Sequence, residues 1–125
     1  MPANSFPKEQ RLSGRRAIDG LFSGGAGGFV YPLRYVFSAE KSGEPGVAVL
    51  VSVSKKYHKR AVRRNLLKRR MREAFRTQSN ALRAAAAERG VRVNIALLYS
   101  TKDIVEFQKI GDAVGKILAQ VSERM

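Results

Sequence analysis

The hydrophobic residues of this 125-residue chain follow two periods, one typical of strands and one typical of helices. Three segments have the pattern or composition of strands: residues 29–39, 47–54 and 91–100. Four segments are predicted to be helical: residues 13–22, 61–77, 80–89 and 103–123. A chain of this length is too short to divide comfortably in two, so the pattern predicts one domain over residues 1–125.

The first strand segment alternates strictly between large apolar and other residues. The alternation places five side chains on one parity: Phe29, Tyr31, Leu33, Tyr35 and Phe37. Pro32 has no backbone N–H, so it either breaks this run into two pieces or marks a sheet edge. Residues 41–46 predict a turn, and we therefore expect the next strand to pair antiparallel with this one.

The second strand segment, residues 47–54, has two chemically different faces. One face carries only valine: Val47, Val49, Val51 and Val53. The other face is smaller and more polar: Ala48, Leu50, Ser52 and Ser54. The last helix has a comparable apolar stripe, predicted to lie in the core: Phe107, Ile110, Val114, Ile117, Leu118 and Val121.

The segments that precede the first strand predict no membrane or export function. Residues 1–12 form a polar arm without the apolar stretch of a signal peptide. Residues 23–28 are rich in glycine but match neither GxGxxG nor GxxxxGK[ST], so we interpret them as a flexible connector. No apolar run approaches the roughly 20 residues that a spanning helix needs.

Composition narrows the classes of function. The chain has no cysteine, which excludes disulfides, thiolate metal sites and a cysteine nucleophile. It has 24 Lys and Arg against 10 Asp and Glu, and hence a formal net charge of +14. Such an excess favours a polyanionic partner, in the first place a nucleic acid.

Most of this charge lies in one segment. Residues 55–76 hold 11 basic residues and one acid, which accounts for +10 of the +14. At about 100° per residue, the predicted 61–77 helix has an apolar side made by Leu67, Met71, Ala74 and Phe75. Its other side carries four cations and an amide: Asn65, Lys68, Arg69, Arg72 and Arg76. The planar guanidinium groups of arginine can bind phosphates of a nucleic-acid backbone, and the amide can bond a sugar hydroxyl.

The basic segment also carries a specific motif. Residues 52–56 read SVSKK, and residues 60–76 read RAVRRNLLKRRMREAFR. Together they resemble the signature of the bacterial ribonuclease P protein family, approximately V-S-K-K, a short gap, and R-A-x-x-R-N-x-x-K-R-x-x-R-E-x-F-R. Residues 6–12, FPKEQRL, are similar to the start of that family's chains.

The resemblance implies a fold and a function. The implied fold is an α/β (α+β) two-layer sandwich with a four-stranded mixed sheet, three helices and a left-handed βαβ crossover. The implied function is that of the protein component of ribonuclease P, an endoribonuclease ribonucleoprotein that removes the 5′ leader from precursor tRNA. The partners would be the ribonuclease P RNA subunit and precursor tRNA in the cytoplasm, without a membrane or DNA.

In that family the RNA subunit performs the hydrolysis with Mg²⁺ that is held mainly by RNA. The resemblance therefore implies no catalytic side chain, no metal ligand and no firmly bound cofactor in this chain. The residues themselves agree, since the sequence has one histidine, His58, and no cluster of carboxylates. His58 lies among the basic residues, where we expect it to be solvated or in contact with RNA.

The resemblance also implies two groups of RNA-binding residues. The first would face the RNA subunit: Lys55, Lys56, Arg60, Arg64, Asn65, Lys68, Arg69, Arg72 and Arg76. The helical wheel of residues 61–77 alone places Arg64 nearer the apolar side of the helix. The second would line a cleft for the single-stranded leader: Phe22, Tyr35, Phe37, Leu50 and Ser52. Aromatic rings can stack on any unpaired base, although plain core packing is an equally good interpretation of each ring.

Other classes of function stay open at the level of the sequence. The main alternative is a ribosomal or other non-catalytic RNA-binding protein, which would copurify with ribosomal RNA. A duplex-DNA binder would be recovered with DNA instead. A nuclease made of protein alone is the least favoured interpretation, and it would cleave with no RNA subunit present.

Overall fold

The computed structural model describes residues 26–41 and 44–125. These residues form, in chain order, β1 (Ala26–Val30), β2 (Leu33–Glu40), β3 (Gly46–Val53), α1 (Ala61–Gln78), α2 (Asn80–Arg89), β4 (Arg92–Tyr99) and α3 (Phe107–Arg124). The predicted arm, the predicted helix over residues 13–22 and the candidate Phe22 lie outside the described residues.

The four strands form one mixed sheet in the order β1-β2-β4-β3. β2 pairs antiparallel with β1 and β4, whereas β3 pairs parallel with β4. The prediction that the strands flanking residues 41–46 pair with each other is therefore wrong. β4 has apolar residues on both parities, among them the fully buried Ile95, Ala96 and Leu97. Such a strand is best buried in the middle of a sheet, and β4 lies between β2 and β3.

The first predicted strand is in fact a hairpin. The chain turns at Tyr31 and Pro32, whose peptide bond is cis, so Pro32 breaks the run, which was one of its two expected roles. β1 begins at Ala26, and the interpretation of residues 23–28 as a connector is wrong for its last three residues. Gly28 lies opposite Tyr35, and a Cβ on Gly28 would stand only 2.7 Å from the Tyr35 Oη. The glycine is needed for this close approach of the two strands.

All three described helices pack on one face of the sheet. The four valines of β3 line this face together with the buried Leu33, Tyr35 and Phe37 of β2. The predicted apolar side of α1 and most of the predicted apolar stripe of α3 are buried in this core. Phe107 is an exception: it is 45% exposed because α3 only begins there, and Val105 is buried just before it. The two-layer architecture is confirmed, and the hand of the β3–β4 crossover stays a prediction.

The helices of the second layer have recognisable ends. α1 and α2 are separated by Ser79, and α2 ends at Gly90, which adopts a left-handed φ of +67° as expected for a glycine stop. Among the described helices, none combines the length and the apolar character that are required to cross a bilayer.

Candidate nucleic-acid interface

Arg69 and Arg72 of α1 lie on the surface because the opposite side of the helix is committed to the core. Leu67, Met71 and Phe75 are fully buried, and this fixes the rotation of the helix. We call the predicted RNA-facing residues other than Arg64 the basic surface. Six of its members are exposed: Lys55, Lys56, Arg60, Asn65, Arg69 and Arg72. Lys68 and Arg76 are half-buried.

Arg76 at the end of the basic surface is paired with an acid. Its Nε donates a hydrogen bond to Glu73 Oε2 at 3.1 Å, and Nη2 donates to Oε1. This bidentate contact lowers the pKa of Glu73 and raises that of Arg76. Glu73 is the one acid of the basic segment, and it directly neutralises one cation of the interface.

Arg64 has a different role from its neighbours on α1. Its Nη1 donates to the carbonyl oxygens of His58, at 3.0 Å, and Lys59, at 2.6 Å. The side chain therefore reaches back from the first turns of α1 to the loop over residues 54–60, which carries four cations of the interface region. The helical wheel placed Arg64 off the cationic side, and the structure shows why: the residue holds the loop.

His58 is a structural residue, so the expectation that it is solvated or in contact with RNA is wrong. Its side chain is 2% exposed. Nε2 donates to the Thr101 carbonyl oxygen at 2.8 Å, and the ring meets the Tyr99 ring edge-on at 5.5 Å. Since Arg64 holds the same loop from the other side, the loop is fixed at two points. The sequence offered no periodicity in this loop from which the burial of His58 could be predicted.

The loop that precedes α3 is anchored to α1 and β4. Arg70 Nη1 donates to the Val105 carbonyl oxygen at 2.9 Å, and Tyr99 Oη accepts from the Val105 N–H at 2.9 Å. Burial raises the pKa of Tyr99. Arg70 faces away from the basic surface, so one cation of the basic segment is used for packing and not for the interface.

The predicted leader-binding residues do not come together on one surface. Tyr35 and Phe37 point into the helix layer and are 1% and 4% exposed. Tyr35 Oη donates to Gln120 Oε1 at 2.5 Å, and the Arg124 guanidinium lies 5.2 Å from the centre of the Phe37 ring. Rings that are enclosed in this way offer no face to an RNA base. Both rings follow the core-packing alternative, so their predicted contact with the leader is wrong.

Leu50 and Ser52 lie on the other side of the sheet, which we call the outer face. Both are half-buried. Leu50 packs beside Ala48 and Ala96 in a small cluster that is separate from the main core. Alternation along β3 correctly placed these two residues opposite the valines. Their contact with RNA stays a prediction.

The described residues contain no group of three or more His, Cys, Asp or Glu side chains that could hold a metal ion. The acids that are present are scattered over the surface, and Glu73 is occupied by Arg76. Chemically, the site can attract, orient and neutralise phosphate groups.

A two-layer α/β sandwich that displays cations on one helix side, with the opposite side locked into the core, belongs to the class of nucleic-acid-binding proteins. The chain matches the family model "Ribonuclease P" over residues 6–121. It therefore belongs to the ribonuclease P protein family, whose members are the protein components of an endoribonuclease ribonucleoprotein.

Relatives and solved structures agree with this assignment. The ribonuclease P protein component of Porphyromonas gingivalis is 33% identical over 122 residues, which covers 97% of this chain and 89% of the relative. That of Chlorobaculum tepidum is 39% identical over 110 residues, or 79% and 70% of the two chains.

Two solved structures support the fold. The RNase P protein of Staphylococcus aureus has a TM-score of 0.69 at 19% identity and covers 90% of this chain and 94% of its own. That of Thermotoga maritima has a TM-score of 0.68 at 23% identity, with coverages of 88% and 96%.

Proposed function

We propose that this chain binds the RNA subunit of ribonuclease P through the basic surface and the 5′ leader of precursor tRNA through the outer face. The RNA subunit performs the cleavage in the cytoplasm, and the protein positions the RNAs. The observation that carries this proposal is the placement of Asn65, Arg69 and Arg72 on one exposed side of α1. The burial of Leu67, Met71 and Phe75 on the opposite side fixes this placement.

A rigid helix suits the recognition of a folded RNA backbone. Arg69 and Arg72 can each offer a planar fork to phosphate oxygens. Asn65, which lies on the same side, can bond a sugar hydroxyl or the edge of a base. Because the helix cannot rotate without exposing its core side, these groups keep their relative spacing before the RNA arrives. Little ordering of the protein is then required on binding.

The protein would assist the chemistry by electrostatics. Cations that sit among closely packed phosphates reduce their mutual repulsion, and a compact RNA binds Mg²⁺ more readily. We assign the Mg²⁺ ions of the holoenzyme to RNA, and no described residue cluster competes for them. The chain itself contributes no general acid, base or nucleophile in this proposal.

Binding of the leader would give selectivity. Mature tRNA has no leader, so any contact between the outer face and the leader stabilises the substrate complex and not the product complex. Leu50 and Ser52 remain the candidates from the sequence. The first offers an apolar contact and the second a hydroxyl that can bond a base or a phosphate.

The test is reconstitution. We expect the purified chain, added to its cognate RNA subunit at low Mg²⁺ concentration, to increase the rate of precursor tRNA cleavage over that of the RNA alone. The protein alone should cleave nothing. If the rate with protein does not exceed the rate with RNA alone, the proposal is wrong.

A further inference from the structure

Four side chains form a row across the outer face, near the end of β3 from which the chain continues to α1. The strand register places Phe29 opposite Arg34, Arg34 opposite Leu98, and Leu98 beside Ser52. Directly paired residues point to the same face of a sheet. The row therefore joins a candidate leader residue, Ser52, to an aromatic ring and a cation that the sequence did not single out.

Phe29 is exposed in a way that core packing does not explain. It is 57% exposed, although its parity in the sequence matches that of the buried Tyr35. The hairpin turn between them puts the two rings on opposite faces. Phe29 borders a groove of about 450 Å³ that is also lined by Gly27, Arg34, Val36 and Leu98. Phe29 therefore lines an open groove with more than half of its surface accessible.

Arg34 supplies the charge at this groove. Its side chain is exposed, and it makes no hydrogen bond or ion pair with the part of the chain that the structure describes. An aromatic face next to an exposed guanidinium is the combination that binds single-stranded nucleic acid, since the base stacks and the phosphate is neutralised. A duplex would present no unstacked base to the ring.

We propose that Phe29 and Arg34 form a subsite for an unpaired nucleotide of the leader, upstream of the nucleotides that reach Ser52. The row runs from β3 to β1 over three strand spacings, or about 14 Å, which a few nucleotides of extended RNA can cover. At its β3 end the row adjoins Lys55 and Lys56, which follow Ser52 in the chain. One strand of RNA can thus pass from the basic surface to the edge of the sheet. This inference rests on the proposed function.

The experiment compares the affinity of the reconstituted holoenzyme for three RNAs: precursor tRNA with a long leader, precursor tRNA with a leader truncated next to the cleavage site, and mature tRNA. The long leader has about 10 nucleotides, which is within the range that single-strand-binding domains cover. Phe29→Ala and Arg34→Gln should each weaken binding of the long-leader precursor about five- to tenfold. Binding of the other two RNAs should not change. Phe29→Tyr should preserve affinity, whereas Phe29→Leu should not, because only the former can stack on a base.

Two control variants test whether the effect belongs to this groove. Phe107 is an exposed phenylalanine at the start of α3, and Lys116 is an exposed cation on the same helix. Phe107→Ala and Lys116→Gln should leave all three affinities unchanged.

The outcomes separate this inference from the proposed function. If the wild-type holoenzyme prefers precursor tRNA but the variants at Phe29 and Arg34 bind like the wild type, only the subsite is wrong. Equal losses with long and truncated leaders would also overturn it. If the wild type itself does not distinguish precursor from mature tRNA, the leader-binding part of the proposed function fails, and the subsite fails with it.

Discussion

The guanidinium of Arg64 holds the backbone of His58, with Nη1 3.0 Å from its carbonyl oxygen. The same nitrogen donates to Lys59, and the His58 ring is anchored on the far side by the Thr101 carbonyl. The loop with Lys55, Lys56, Lys59 and Arg60 is thus fixed from two directions. Arg64 and His58 thus hold the loop that carries these cations, and contact of Arg64 itself with RNA stays a prediction.

Arg64→Lys tests this positioning role. The substitution keeps the charge but replaces a guanidinium that donates to two carbonyls by a single ammonium on a flexible stem. We expect RNA-subunit affinity to fall about fivefold, since hydrogen bonds from charged groups contribute about 1.5–3 kcal/mol and Arg64 is only half-buried. The salt dependence of binding should stay the same. Arg63→Lys, at an exposed neighbour, is the control. Wild-type affinity of Arg64→Lys would show that its charge alone matters.

His58→Ala should reduce the stability of the fold. The change removes a buried ring and leaves the Thr101 carbonyl without its donor, for a loss of about 2–3 kcal/mol in the free energy of unfolding. Urea denaturation of the free protein measures this loss. Lys59→Ala removes an exposed side chain from the same loop and should change the stability by less than about 0.5 kcal/mol. Equal effects of the two variants would contradict the structural role of His58.

Neutralising three cations of the basic surface should weaken RNA binding through phosphate contacts. For the combined variant Lys68→Gln, Arg69→Gln and Arg72→Gln, we expect the slope of log affinity against log salt to fall in magnitude by about 2, at roughly 0.7–0.9 per phosphate contact. Filter binding to the RNA subunit over a salt series measures the slope.

The matched control for that variant neutralises three exposed lysines that lie outside the basic segment: Lys41, Lys109 and Lys116. It makes the same change in net charge, so it should lower affinity only slightly and leave the slope near that of the wild type. If both triple variants change the slope equally, the bulk charge of the protein binds RNA and the basic surface has no special role.

Glu73→Gln should increase affinity for the RNA subunit at neutral pH. Glu73 holds Arg76, and the substitution releases that guanidinium for a phosphate. The contact lowers the pKa of Glu73 in the folded protein. Glu73 therefore stabilises the fold above its unfolded pKa, and this contribution is lost as the pH falls through the lowered folded pKa. In thermal unfolding, the difference between the variant and the wild type should vanish at acidic pH. A difference that persists at low pH would contradict an ionic origin.

Gly28→Ala should destabilise the β1–β2 hairpin. A Cβ at this position would lie 2.7–2.8 Å from three atoms of the Tyr35 side chain, which Gln120 and Arg124 hold in place. We expect a loss of about 1–3 kcal/mol in the free energy of unfolding, as for other overpacked sites. Denaturant titration measures it.

Gly111→Ala is the control for this steric argument. In α3 the nearest atom to a new Cβ would be Gln78 Nε2 at 3.8 Å, an ordinary contact. Alanine is the better helix former by about 0.8–1 kcal/mol, so the variant should be slightly more stable than the wild type. The two substitutions are chemically identical, and the same sign of effect at both positions would contradict the close approach at Gly28.

Faces of individual elements were predictable because each depends on a local period. The alternation in β3 separated its valines from Leu50 and Ser52, and the spacing in α1 separated Leu67 and Met71 from the cations. Burial of an apolar side constrains the rotation of an element so strongly that the pattern alone suffices.

Pairing of strands was not predictable in the same way. β2 and β3 run in opposite directions, as the turn predicted over residues 41–46 requires, but no local feature shows that β4, about 50 residues further on, lies between them. The hairpin at Tyr31 likewise placed Phe29 and Tyr35 on opposite faces despite their common parity. Alternation continues only within one strand, and a turn resets it.

By itself, the sequence determined that this protein has one strongly basic segment, which side of its helix faces outward, and to which family the chain belongs. These properties depend on composition, period and a contiguous motif. Only the tertiary structure decided that His58 and Arg64 position a loop, that Tyr35 and Phe37 are core, and that Phe29 and Arg34 share a groove. Those properties depend on contacts between distant segments, and the packing of helices and strands that forms them is set by the whole chain.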